Sequence, residues 1–87
     1  MQMRHLECFR AVAEELHFTR AANRLHLSQP PLSRHIKELE EELGVVLFKR
    51  DRRNVALTDA GKVFAKRVHS ILSQIAQARE EARHIHN

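Results

Sequence analysis

After Thr58 nothing in the chain breaks a helix until about His86. At 1.5 Å per residue such a helix is roughly 40 Å long. A chain of 87 residues makes at most one small domain with a thin core, and it cannot cover a rod of that length alone. Within the stretch, Phe64, Val68, Ile71, Ile75, Ala78, Ala82 and Ile85 step by alternating fours and threes, the spacing of a helix–helix seam. Ala65, Leu72 and Ala76 widen the apolar edge. Val63 and Phe64 are placed to fold back on their own domain, whereas the far half has nothing of its own chain left to pack on. The sequence therefore asks for a second copy. The expected division is a globular unit over 1–58 and a linker or dimerisation helix over 59–87.

Most of the remaining chain also repeats at helical spacing. Over residues 4–16, Leu6, Phe9, Ala13 and Leu16 share one face, with Glu7, Arg10 and Glu14 turned outward. Cys8 lies at the flank of that stripe and reads as a small packing residue. Thr19 is the expected N-cap of a second helix over about Arg20–His26, with Ala21, Ala22 and Leu25 inward and Leu27 plugging the turn after it. Ser28 is the expected N-cap of a third helix. Its first turn holds Pro30 and Pro31, where proline costs no hydrogen bond. Leu32, Ile36, Leu39 and Leu43 form its inner stripe, and Gly44 stops it. Val45–Phe48 and Val55–Leu57 are short apolar runs around the tip Lys49-Arg50-Asp51-Arg52-Arg53-Asn54 and predict a small hairpin. Thr58 caps the last helix, with Asp59 in its first turn. The pattern is mainly α: a winged helix-turn-helix with a small β-hairpin wing and a long C-terminal helix.

Charge placement points to a polyanion. The net charge is only +4, yet seven cations stand against two carboxylates between Leu47 and Arg67. The third helix is itself polarised. Its outward face carries Pro30, Arg34, Lys37 and Glu41, with Gln29 and Ser33 on the flank, while Glu38, Glu40, Glu41 and Glu42 crowd its second half. Four carboxylates repel phosphates, so only the first two turns can enter a groove. Arg matches guanine O6 and N7, and Gln matches adenine N6 and N7. Ser33 suits a phosphate or a base, and Lys37 suits a phosphate as a point charge.

At these residues the chain resembles the LysR-type transcriptional regulators. The resemblance rests on Ala21-Ala22-x-x-Leu25-x-Leu27-Ser28-Gln29-Pro30-Pro31-Leu32-Ser33-Arg34-x-Ile36-x-x-Leu39-Glu40-x-x-Leu43-Gly44-Val45-x-Leu47-Phe48-x-Arg50. Arg4-His5-Leu6-x-x-Phe9 and Leu57-Thr58-x-Ala60-Gly61 extend it over essentially the whole chain. Gln29-Pro30-Pro31 is similar to the branch that governs breakdown of aromatic compounds. The resemblance implies base contacts from Gln29, Pro30, Ser33 and Arg34. It also implies backbone or minor-groove contacts from Arg50, Arg52 and Arg53, and we place Thr19, Ser28, Pro31 and Lys37 with these. It implies a homodimer on double-stranded DNA bearing an interrupted inverted repeat, with dimer and tetramer both open at full length, and an indirect action on RNA polymerase at a neighbouring promoter. Members of that family are roughly three times longer, with a C-terminal effector-binding domain. The chain is thus expected to be a fragment, with any small-molecule effector bound in the absent part.

Other functions are weighed against this one. Seven histidines invite a metal, but none forms an i, i+4 pair with a third ligand, and His84 and His86 face different sides of a helix. No metal or cofactor is expected. No nucleophile–base or paired-carboxylate set has a pocket to occupy, so an enzyme is not expected either. One cysteine cannot make an internal disulfide, no run reaches the ~20 apolar residues of a membrane span, and the N-terminus MQMRHLECF lacks a signal-peptide core. The expected location is the cytoplasm. The rival from another class is a helical interaction module whose basic hairpin binds an acidic protein surface. Salt-dependent duplex binding separates the two.

Overall fold

The computed structural model describes residues 1–86. Its elements run α1 (Met3–Glu15), α2 (Phe18–Arg24), α3 (Gln29–Leu43), β1 (Phe48–Arg50), β2 (Val55–Leu57) and α4 (Asp59–His86). Helices α1, α2 and α3 pack on one another, α4 packs on α1, and β1 and β2 form an antiparallel pair. The molecule measures 50 × 25 × 19 Å, the long dimension fitting the length of α4.

Helix α1 starts where the His5 ring accepts the Gln2 backbone N–H on Nδ1 at 3.1 Å. It ends at Leu16, which adopts a left-handed conformation with φ 50 while its N–H bonds to the Val12 carbonyl. That turn swings Leu16 off the inner stripe, where the sequence placed it, and leaves it 43% exposed. Val12 and Cys8, both fully buried, fill the face instead. The second helix also begins earlier than expected. Its N-cap is His17, whose Nδ1 accepts the Arg20 N–H at 3.1 Å. Thr19 is therefore not the cap; it sits in the first turn of α2, exposed. Arg24 ties the end of α2 back to Glu14 and Glu15 of α1, and the hydrogen bond to Glu14 raises its pKa.

Helix α3 follows the sequence closely. Ser28 is its N-cap residue, Pro30 and Pro31 lie in its first turn, and Gly44 closes it in the left-handed region at φ 71. Leu32, Ile36 and Leu39 are fully buried and Leu43 half-buried. The hairpin is smaller than expected. Val45 and Val46 lie outside it and are 43% and 61% exposed. Pairing runs only Phe48↔Leu57, Lys49↔Ala56 and Arg50↔Val55. Lys49 and Arg50 are thus strand residues, and the tip shrinks to 51–54.

Thr58 caps α4 as expected. Its Oγ1 accepts the Gly61 N–H at 2.9 Å and donates to the Val46 carbonyl at 2.7 Å. A Cβ at Gly61 would fall on the Leu47 carbonyl oxygen, so only glycine lets α4 lie this close to the strand. Phe9 is the hub of the core. Its ring meets Phe48 of the wing at 5.3 Å and Phe64 of α4 at 5.1 Å. Val68 and Leu72 join the same core, at 0% and 6% exposure. Val68 is covered by its own chain and offers nothing to a seam between copies. Val63, by contrast, does not fold back and is 68% exposed. The core continues along α4 to Leu72.

Candidate nucleic-acid interface

The wing and the helix pair enclose a cleft of about 290 Å³. Its walls are the start of α2 (His17, Phe18, Thr19), one flank of α3 (Gln29, Ser33) and the wing (Arg50, Asp51, Arg52, Arg53, Asn54, Val55), with Leu16 at the edge. Residues separated by more than thirty positions thus share one concave surface. Its three guanidiniums favour an anion, and its two amides and two hydroxyls supply hydrogen bonds.

Each wall is set by local chemistry. The wing tip turns because Asp51 Oδ1 accepts the N–H groups of Arg53 and Asn54 at 2.9 and 2.7 Å. The Asp51 N–H donates to the Asn54 carbonyl at 3.0 Å. These backbone hydrogen bonds, that from Arg53 foremost, hold the Asp51 carboxyl below its ordinary pKa. The one acid of the tip is thereby spent on shaping the turn. The Arg50 guanidinium lies over the Phe18 ring, 4.2 Å from its centroid. Such a contact is worth about 0.5–1 kcal/mol at an exposed site and fixes the cation against the wall. Phe18 in turn meets Phe48 edge-on at 6.2 Å, so the stack is rooted in the core.

The expected base-contacting residues divide in two. Gln29 and Ser33 line the cleft, the first exposed and the second half-buried. Pro30 and Arg34 are exposed on α3 outside it. Of the expected backbone contacts, Thr19, Arg50, Arg52 and Arg53 line the cleft. Ser28 is exposed and makes no side-chain cap hydrogen bond, Pro31 is half-buried, and Lys37 is exposed near Glu40, Glu41 and Val46.

The acidic half of α3 is largely occupied inside the chain. Glu40 Oε2 accepts the N–H groups of Leu47 and Phe48 at 2.7 and 3.3 Å and anchors the entry to the wing. Glu42 pairs with the N-terminal amine at 2.9 Å. Glu38 meets His5 and His35. Its carboxyl is held below the ordinary carboxylate range, chiefly by the His5 hydrogen bond and secondarily by charges that include Arg34. Among the described residues, His5, His35 and Glu38 are the set whose geometry could hold a metal ion. Linear spacing did not reveal them, since His5 arrives from another helix. The roles of His17 and Glu40 also went unread, because both depend on where the chain turns next.

On α4, Ile71 is 42% and Ile85 86% exposed. Ala78 and Ala82 are exposed, while Ile75 and Phe64 are half-buried. No described helix is long and apolar enough to cross a membrane.

A profile of bacterial regulatory helix-turn-helix proteins of the lysR family matches residues 3–62. The HTH-type transcriptional regulator AlsR of Bacillus subtilis (strain 168) is 56% identical over 82 residues, 94% of this chain and 27% of that protein. The HTH-type transcriptional regulator BudR of Klebsiella aerogenes is 53% identical over 85 residues, 98% of this chain and 59% of that protein. The chain therefore spans less than two thirds of the length of either relative. Among solved structures, the BenM DBD/catB site 1 DNA complex is similar with a TM-score of 0.95 at 45% identity, covering 98% of this chain and 96% of that one. The CbnR DBD–DNA complex has a TM-score of 0.93 at 40% identity, with all of both chains covered. A match over more than half the chain, with relatives this similar, settles the family: the chain belongs to the lysR family of bacterial regulatory helix-turn-helix proteins.

Proposed function

We propose that this chain reads double-stranded DNA as a homodimer, α3 lying in the major groove and the wing on the adjacent backbone or minor groove. The observation that carries the reading is the single surface on which Gln29 and Ser33 meet Arg50, Arg52 and Arg53. Base-reading side chains and phosphate-binding cations then engage one duplex together. The BenM and CbnR structures are complexes with DNA, which supports the same use of a closely similar fold. In this reading Gln29, Pro30, Ser33 and Arg34 touch bases. Thr19, Ser28, Pro31, Lys37 and the three wing arginines touch the backbone or minor groove. The dimer forms through α4 on Ile71, Ile75, Ala78, Ala82 and Ile85, with Phe64 at its near edge. The folded unit extends through Leu72 on one face of α4, and the partner-facing side runs from Phe64 and Ile71 towards the end of the helix. The protein has a regulatory role in the cytoplasm and catalyses no reaction.

The test is duplex binding across a salt series. A basic cleft on phosphates gives an affinity that falls linearly in log–log form as salt rises, by about 0.9 units of slope per phosphate neutralised. Binding that ignores salt, or that prefers an acidic protein to DNA, would place the basic wing on another partner.

A further inference from the structure

Outside the cleft, α1 and α3 bring together three side chains that ligate metals. His5 Nε2 lies 3.0 Å from Glu38 Oε1, and His35 Nδ1 lies 3.6 Å from the same oxygen. The two rings meet edge-on with centroids 5.5 Å apart, and all the donor atoms fall within 4.8 Å of one another. Around a tetrahedral ion with bonds of about 2.0–2.1 Å, ligand atoms stand about 3.3 Å apart. The two separations to Glu38 straddle that value. His35 Nδ1 is the second observation. It is buried and has no hydrogen-bond partner, whereas buried polar atoms are nearly always paired. Its nearest carboxylate is too distant for a hydrogen bond. A cation between ring and carboxylate would satisfy both.

We propose that His5 Nε2, His35 Nδ1 and a Glu38 carboxylate oxygen form a binding site for a divalent transition-metal ion, best matched by zinc. Two imidazoles and one carboxylate are a borderline-soft donor set that suits zinc over magnesium or calcium. Glu38 is 47% exposed, which leaves an entry path and room for water as a fourth ligand. His5 sets the cost. Its Nδ1 accepts the Gln2 N–H, so the neutral ring carries its proton on Nε2 and donates it to Glu38. Zinc on Nε2 needs that lone pair. The ring proton then moves to Nδ1, where it faces the Gln2 N–H donor to donor, and the first turn of α1 loosens. Metal uptake is therefore coupled to fraying of the N-terminus. The site is independent of the DNA-binding reading, and its test involves no DNA.

The test is calorimetric titration of zinc chloride into the whole chain near neutral pH. One ion per chain is expected. Glu38 is exposed and His35 half-buried, and glutamine is polar and helix-compatible at both positions, so H35Q and E38Q should keep the helical circular dichroism of the parent. Each should weaken zinc binding at least about tenfold. Hydrogen exchange of the first turn of α1 should quicken when zinc is bound to the parent chain. No saturable uptake at micromolar zinc, or uptake that H35Q and E38Q leave unchanged, overturns the site. Undisturbed exchange in the first turn with zinc bound removes His5 from the ligand set and overturns the three-ligand assignment.

Discussion

A single carboxylate of α3 anchors the entry to the wing. Glu40 lies among acids that have no use beside a phosphate, yet it receives two backbone N–H groups where the chain enters β1. Leu47 is fully buried, so these donors have no ready substitute in water. Glu40→Ala should lower the unfolding free energy by about 1–3 kcal/mol, read by urea denaturation, with Glu41→Ala as the near-neutral control. Equal effects of the two would reduce Glu40 to a surface charge. Arg34 belongs to the same helix but points outward and is exposed. Arg34→Ala should cost about 1–3 kcal/mol on the preferred site and far less on random duplex. Equal losses on both would make it a phosphate contact only.

At the scale of elements, local signals located the helices and long-range contacts corrected them. Gly44 and Thr58 mark the end of α3 and the start of α4 because caps act within a turn of the residue that supplies them; Ser28 holds the N-cap position of α3 with no side-chain hydrogen bond. The start of α2 was misread at Thr19 because the left-handed turn at Leu16 delivers His17 to the cap first. Val68 was misread for a different reason. An apolar stripe says that a helix face is covered, not by what, and Phe9 and Phe64 already pull that part of α4 onto the domain. The cleft was legible as two separate clusters of cations and polar groups; that Phe18 seats Arg50 beside Gln29 and Ser33 required the fold. The wing is expected to act as one cationic unit. Replacing Arg52 and Arg53 with Ala should weaken binding to every sequence and flatten the salt slope by about one unit per lost contact. An unchanged slope would set the wing off the DNA.

For the whole molecule, the covered and uncovered parts of α4 separate its two tasks. One face of α4 closes the core as far as Leu72; Ile71 on the other face and Ala78, Ala82 and Ile85 further along are exposed and meet the second copy in the proposed dimer. Ile71→Glu with Ala78→Glu places carboxylates in the seam while leaving the core residues intact. The chain should fold and become monomeric by light scattering. A dimer that survives would locate the interface elsewhere. A two-fold axis through α4 carries the α3 helices to one side of a duplex, about one helical turn or a small multiple apart. Selection of bound sites from a pool of random duplexes tests this most directly. The expected outcome is an enriched inverted repeat with that half-site spacing, recovered by the parent chain and lost by the seam variant. Enrichment of unpaired single sites, or none above the starting pool, would contradict a dimeric reader of DNA.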